Sequence, residues 1–187
     1  MQSKLKKWFF YWGIAMLAIV ICFAIFQPAK KIDLQAVDFT TTQSSELYFK
    51  NMRSYFYDKT DHDAANFKIY RIGSREIDST KNKLSFMLLS NWLQSEYYVM
   101  AESGLVDFKE ENIQLNYKHP DSSGTLLLSD HDNYSHYVFA AKLYEQLDKN
   151  AALYLKHSKN WIEFTESEKK SLKKTLSDYF KLVGKLR

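Results

Sequence analysis

The 187-residue chain is poor in the residues that staple or punctuate a fold, with one cysteine, two prolines and five glycines. A single cysteine excludes an internal disulfide framework and any Cys-x-x-Cys zinc or redox motif. So little Pro and Gly excludes collagen-like and low-complexity disordered chains. The five glycines stand at 13, 73, 104, 124 and 184, a spacing that forms no phosphate loop, dinucleotide fingerprint or Gly-x-Ser-x-Gly elbow. None of the five histidines is followed by Glu, so a His-Glu-x-x-His metalloprotease motif is absent too. Long uncharged runs are also scarce, which excludes a multi-span membrane protein.

The one long run is informative. Trp8 to Ala29 carries no charged side chain and is flanked by Lys4, Lys6 and Lys7 before it and by Lys30 and Lys31 after it. As a helix at about 1.5 Å per residue, Trp8 to Gln27 spans roughly 30 Å, the thickness of a bilayer's hydrocarbon core. Trp8, Tyr11 and Trp12 fall at its amino-terminal edge, where amphipathic rings favour the headgroup layer, and Pro28 ends the helix. A cleavable signal peptide has a shorter apolar region, usually about 7 to 15 residues, and a small-x-small site that this run lacks. Cys22 follows Ala-Ile-Val-Ile, without the small residue that precedes a lipoprotein cysteine, and reads as a lipid-facing hydrophobe. The lysine bias favours a cytoplasmic amino terminus. The expected organisation is a cytoplasmic tail over 1–7, a transmembrane anchor over 8–29 and an extracytoplasmic domain over 32–187.

Charge divides along the same boundary. Five of the 26 basic residues precede Ile32, whereas all 22 acidic residues follow it, so the domain holds 21 basic against 22 acidic side chains. The chain's overall basicity therefore comes from membrane-flanking lysine and does not point to nucleic acid. From Lys156 onward nine Lys or Arg face four Asp or Glu, leaving a basic carboxy-terminal segment.

Hydrophobic 45%, aromatic 16% and charged 26% suit one ordinary domain behind the anchor. The juxtamembrane stretch 33–43 reads as a first strand, with a free linker as the alternative. Leu47 to Tyr57, rich in aromatics, reads as another, although Tyr48, Met52, Tyr55 and Phe56 also fit one helical face. A polar loop is expected over 58–66. Phe67 to Ile72 alternates apolar and basic side chains and predicts a half-buried strand. Leu84 to Leu89 and Tyr97 to Met100 are read as consecutive strands, with Phe86, Leu89, Leu93, Tyr97 and Met100 offering a helical alternative. Ile113 to Tyr117 and Thr125 to Leu128 complete the strand-rich half. The period then changes: Tyr137, Ala140, Ala141, Tyr144 and Leu147 predict a helix capped near Asn133. Strands are expected over 152–155 and 161–164. Thr165 to Glu168 matches a capping box, and Leu172, Leu176, Tyr179, Phe180 and Val183 line the helix that follows, with Gly184 at its stop. The expected class is α+β, with a mainly antiparallel sheet and two helices in the carboxy-terminal half.

Two constellations are candidates for function. Asp-His-Asp occurs twice, so Asp61, His62 and Asp63 together with Asp130, His131 and the later His136 make a possible Zn²⁺, Mn²⁺ or Fe²⁺ site if the loops meet. Against this, Asp and His are ordinary loop residues, Asp132 or Asn133 is needed as a helix cap, and His131 and His136 are five apart, not the four that aligns ligands on a helix. The second constellation is a surface: Tyr97 and Tyr98 with Lys169, Lys170, Lys173 and Lys174 as partner-contacting residues, in a chain with more aromatics than one small sheet face buries. Ser167 with Lys170 and Ser171 with Lys174 match Ser-x-x-Lys, but an exposed ammonium is a poor base. The expected function is a single-pass interaction or assembly component with lipid and protein partners and no resident cofactor. A hydrolase using a divalent metal is the alternative, and a small-ligand domain a third.

Overall fold

A computed structural model describes residues 8, 11–13, 16, 32–34, 36–62, 66–78, 81–106 and 112–186. The chain forms two compact units, Met1–Lys30 and Lys31–Arg187. In the first, residues 8, 11–13 and 16 are helical, and the rings of Trp8 and Trp12 lie 6.5 Å apart. Most of the expected anchor over 8–29 lies outside the described residues. Among the described residues no helix is long and apolar enough to cross a membrane.

The second unit is α+β, with two four-stranded antiparallel sheets in place of the single sheet expected. In the first sheet β1 (Tyr57–His62), β2 (Phe67–Ile72), β3 (Ser85–Asn91) and β4 (Glu96–Glu102) pair in sequence order. Period-two patterning explains which face is inside: Tyr70 and Ile72, Phe86 and Leu88, and Tyr97 and Val99 all point into the core. The second sheet, in the order β6-β5-β7-β8, comprises β5 (Ile113–Lys118), β6 (Ser123–Leu128), β7 (Ala152–His157) and β8 (Asn160–Glu163). Leu115, Leu128, Leu153 and Leu155 form its inner face. The strands expected over 67–72, 84–89, 97–100, 113–117, 125–128, 152–155 and 161–164 all find their counterparts here.

Helices join the sheets. With α1 being the short helix Gln43–Tyr48, α2 (Asn133–Asp148) packs on both β4 and β6, and α3 (Glu166–Leu182) packs on α2 and β3. The cap of α2 is Asp132, one residue earlier than expected, whose carboxylate accepts from the Ser135 amide at 2.7 Å. The capping box of α3 is present: Thr165 Oγ1 accepts from the Glu168 amide, and the Glu168 carboxylate accepts from the Thr165 amide at 2.6 Å. Gly184, at φ +70°, closes α3 as its spacing predicted, letting the Lys185 amide reach back to the Phe180 carbonyl at 2.7 Å.

Three expectations are corrected. Among the described residues of 33–43 no strand forms; Thr40 makes an isolated bridge to Glu96, and α1 begins at Gln43 behind a Thr42 cap that accepts from Ser45. Leu47 to Phe56 is not a strand either, and only Tyr57 opens β1. It runs through the end of α1, a π-helical turn over Phe49–Arg53 and a 3₁₀ turn over Ser54–Phe56. Conversely, the expected loop over 58–66 contains most of β1, an edge strand of which only Tyr57 is buried. A strand paired on one side and solvated on both faces carries no hydrophobic period.

Candidate functional site

Among the described residues the two Asp-His-Asp segments do not come together around one point. Asp61 lies on β1, where its carboxylate meets Lys68 at 3.2 Å, and His62 ends that strand exposed, opposite Phe67. Asp63 lies outside the described residues. Asp130 and His131 are exposed in the loop before α2, whereas His136 is buried in the first turn, with Nδ1 accepting from the Ala101 amide of β4 at 3.1 Å. Burial, reinforced by the nearby charge of His131 and opposed by Asp132, pushes His136 down to about 4, so it serves as a neutral acceptor stitching α2 to β4. Among the described residues no group of three His, Cys, Asp or Glu side chains can hold one metal ion.

The expected interaction residues fall in three environments. Tyr97 is wholly buried, with its hydroxyl 3.2 Å from Glu46 Oε1, and offers nothing to a partner; a residue on the inward side of a central strand belongs to the core. Tyr98, on the other side of β4, is half-buried against Phe39 at 5.0 Å and donates to Glu96. Of the lysines, Lys169 pairs with Glu166 and Lys173 with Asp148, Lys170 is exposed, and Lys174 lies over the Phe56 ring at 3.6 Å. The Ser171 hydroxyl is used by Ser74, donating to its carbonyl at 3.0 Å, while Lys174 is turned to Phe56, so this Ser-x-x-Lys pair is no dyad.

A cleft of about 290 Å³ opens at the start of α3, lined by Ser74, Arg75, Asn82, Ser85, Ser167 and Glu168. The cations at and beside it are satisfied internally. Arg75 donates to Asp58 at 2.6 Å and to the Ile72 carbonyl, and Lys83 donates to Glu168 at 3.0 Å and to the Glu163 carbonyl. Burial alone would raise the Glu168 carboxyl, but the Thr165 amide and the Lys83 ammonium outweigh it and hold it below its ordinary value.

The segment from α1 to Phe56 is different, because its apolar side chains are outside. Phe49 alone is driven in, its ring 5.5 Å from Tyr57, 5.3 Å from Tyr70 and 6.1 Å from Tyr97. One turn on, Arg53 forks onto the buried Asp178 of α3, with Nε to Oδ1 at 2.7 Å and Nη2 to Oδ2 at 3.0 Å, and the Tyr57 hydroxyl donates to the same carboxylate at 2.9 Å. The hydrogen bond to Asp178 holds the Arg53 guanidinium above its ordinary value, and burial raises the Tyr57 phenol. These two fixings leave Tyr55 at 80% exposure, Leu47 and Met52 at 59%, Tyr48 at 52% and Phe56 at 48%. The aromatic excess in the sequence therefore resolves into a buried set and an exposed set. The helical spacing of Tyr48, Met52, Tyr55 and Phe56 was the available signal for the exposed one.

Comparison with protein-family models, with curated proteins and with solved structures gives no match.

Proposed function

We propose that the chain is a membrane-anchored interaction or assembly component without a catalytic role. Residues 8–29 span the bilayer, residues 1–7 form the cytoplasmic tail, and the α+β domain over 32–187 lies outside the cytoplasm. The observation that carries this reading is the uncharged run from Trp8 to Ala29 between its lysine flanks. Lipid cannot satisfy backbone hydrogen bonds, and a helix of that length satisfies its own.

The outer face of the second sheet supplies a surface suited to a protein partner. Leu127, opposite Gln114, is 57% exposed, and Trp161, opposite Lys156, is 44% exposed, an arrangement of apolar contact points set among polar side chains. Purification from native membranes tests the reading. A protein that co-purifies with the native chain is expected to be lost from a Leu127→Glu, Trp161→Glu double variant that still sediments with membranes. Unchanged co-purification would remove the second sheet from the account, and a chain found wholly in the soluble fraction would remove the anchor.

A further inference from the structure

We infer that the exposed face of residues 43–59 is a lipid-binding surface that seats the domain on the anionic interface of the bilayer. The inference rests on the proposed anchor for its tether. Leu47, Tyr48, Met52, Tyr55 and Phe56 recur at spacings that share one side of a helical segment, and each is about half exposed or more. Looseness does not account for this exposure, since Phe49 and the Arg53–Asp178 fork fix the segment to the core from behind. The side-chain types suit the boundary between headgroups and acyl chains, where amphipathic rings keep a polar tip in water and an apolar body in lipid.

The charge around the face selects between occupants. Lys174 Nζ stands 3.6 Å from the Phe56 ring centre and Lys59 Nζ 5.9 Å from that of Tyr55, so cations lie over the apolar rings themselves. The neighbouring acids are neutralised within the domain: Glu46 pairs with Lys50, Asp58 with Arg75 and Asp178 with Arg53. Lys59, Lys174 and the exposed Lys181 are left as the excess. Protein interfaces are depleted in lysine, whereas at a bilayer lysine stems cover apolar surface and their heads reach lipid phosphates. Beside Tyr48 a groove of about 340 Å³ continues the same chemistry, with Leu182 and Leu186 as apolar wall and Lys181 as its cation. The tether is short. Ile32 is already buried in the domain five residues after Gln27, and that much chain extends at most about 18 Å.

Site-directed spin labelling of the full chain in vesicles tests this. In a Cys22→Ser background, a nitroxide is placed at Tyr55→Cys on the face or at Thr125→Cys on β6 as the control. Access of oxygen and of a water-soluble nickel chelate is read by power saturation. In vesicles of phosphatidylcholine with phosphatidylglycerol, the label at 55 is expected to favour oxygen and the label at 125 to favour nickel. Lys59→Gln with Lys174→Gln should lower the docked-to-free ratio about thirtyfold while leaving the circular dichroism spectrum unchanged. Equal nickel access at both sites in anionic vesicles would overturn the inference. So would spin–spin broadening at 55 that disappears on dilution with lipid, because a second copy would then cover the face. Release of the chain by alkaline carbonate would strike the anchor alone. The oxygen-to-nickel ratio at 55 on the chain bound at neutral pH then decides the lipid face separately, in the same two directions.

Discussion

Two helical segments of this domain carry aromatic side chains at helical spacing and place them on opposite sides. In α3, Leu176, Tyr179 and Phe180 are completely buried and the lysines are half-buried or exposed, whereas across 43–56 Phe49 is the one buried apolar side chain beside five exposed ones. The difference lies in what each segment leans on. The inward stripe of α3 meets α2 and β3, so its apolar face is covered along its length. The earlier segment is held by the Phe49 ring, the Arg53–Asp178 ion pair and the Tyr97–Glu46 hydrogen bond, which fix it in place without covering it. Apolar spacing thus identifies a helix and a face, and the fixing contacts decide whether that face is core or surface.

The sharpest way to break this contrast is to truncate one ring from each segment. Phe180→Ala in α3 should cost about 4 kcal/mol, the usual range for a buried aromatic, while Tyr55→Ala should stay within about 0.5 kcal/mol. Urea titration of the purified full chain in detergent measures both, and comparable losses would abolish the distinction. Next comes the fork that ties the two segments together. Asp178→Ala leaves Arg53 and Tyr57 without their acceptor and should cost about 3 kcal/mol, of which an added Arg53→Met should recover a large part.

The interior holding α2 to the sheet gives a pH-dependent test. Folded His136 sits near 4, below its ordinary 6.5, so between those values the unfolded chain takes up a proton that the folded chain refuses. Stability is therefore complete above about pH 6.5 and is lost as pH falls toward 4, by on the order of 3 kcal/mol. A midpoint that does not move across that window would contradict it. The one change not expected to cost stability in the interior is Tyr179→Phe. The Tyr179 hydroxyl is buried with no hydrogen-bond partner among the described residues, so its removal should be neutral or stabilise by up to about 1 kcal/mol.

Legibility in the sequence follows from the same physics. The two long helices were readable because Leu147, Leu172 and Leu176 keep period and the capping box from Thr165 to Glu168 is a local device whose geometry depends on nothing distant. Strands β2 and β5 were readable because one face is core and the other is not. Leu47 to Tyr57 reads as strand in the sequence because aromatic content raises strand propensity wherever the rings end up. The Phe49 and Arg53 contacts that hold it in place reach residues as far away as Tyr97 and Asp178. The first strand escaped notice because Asp58 to His62 is a polar edge without alternation. Of the site candidates, the motif pair Asp61–Asp63 and Asp130–Asp132 was conspicuous in sequence, yet Asp132 is a helix cap and Asp61 an ion-pair partner on β1. Local composition cannot separate a cap from a ligand.

Alkaline carbonate extraction of native membranes, followed by sequencing of the amino terminus of the retained chain, is the most direct test. The account predicts a product that stays in the pellet and still begins ahead of Trp8. Recovery of the chain in the supernatant, with its first residue after Gln27, would contradict it.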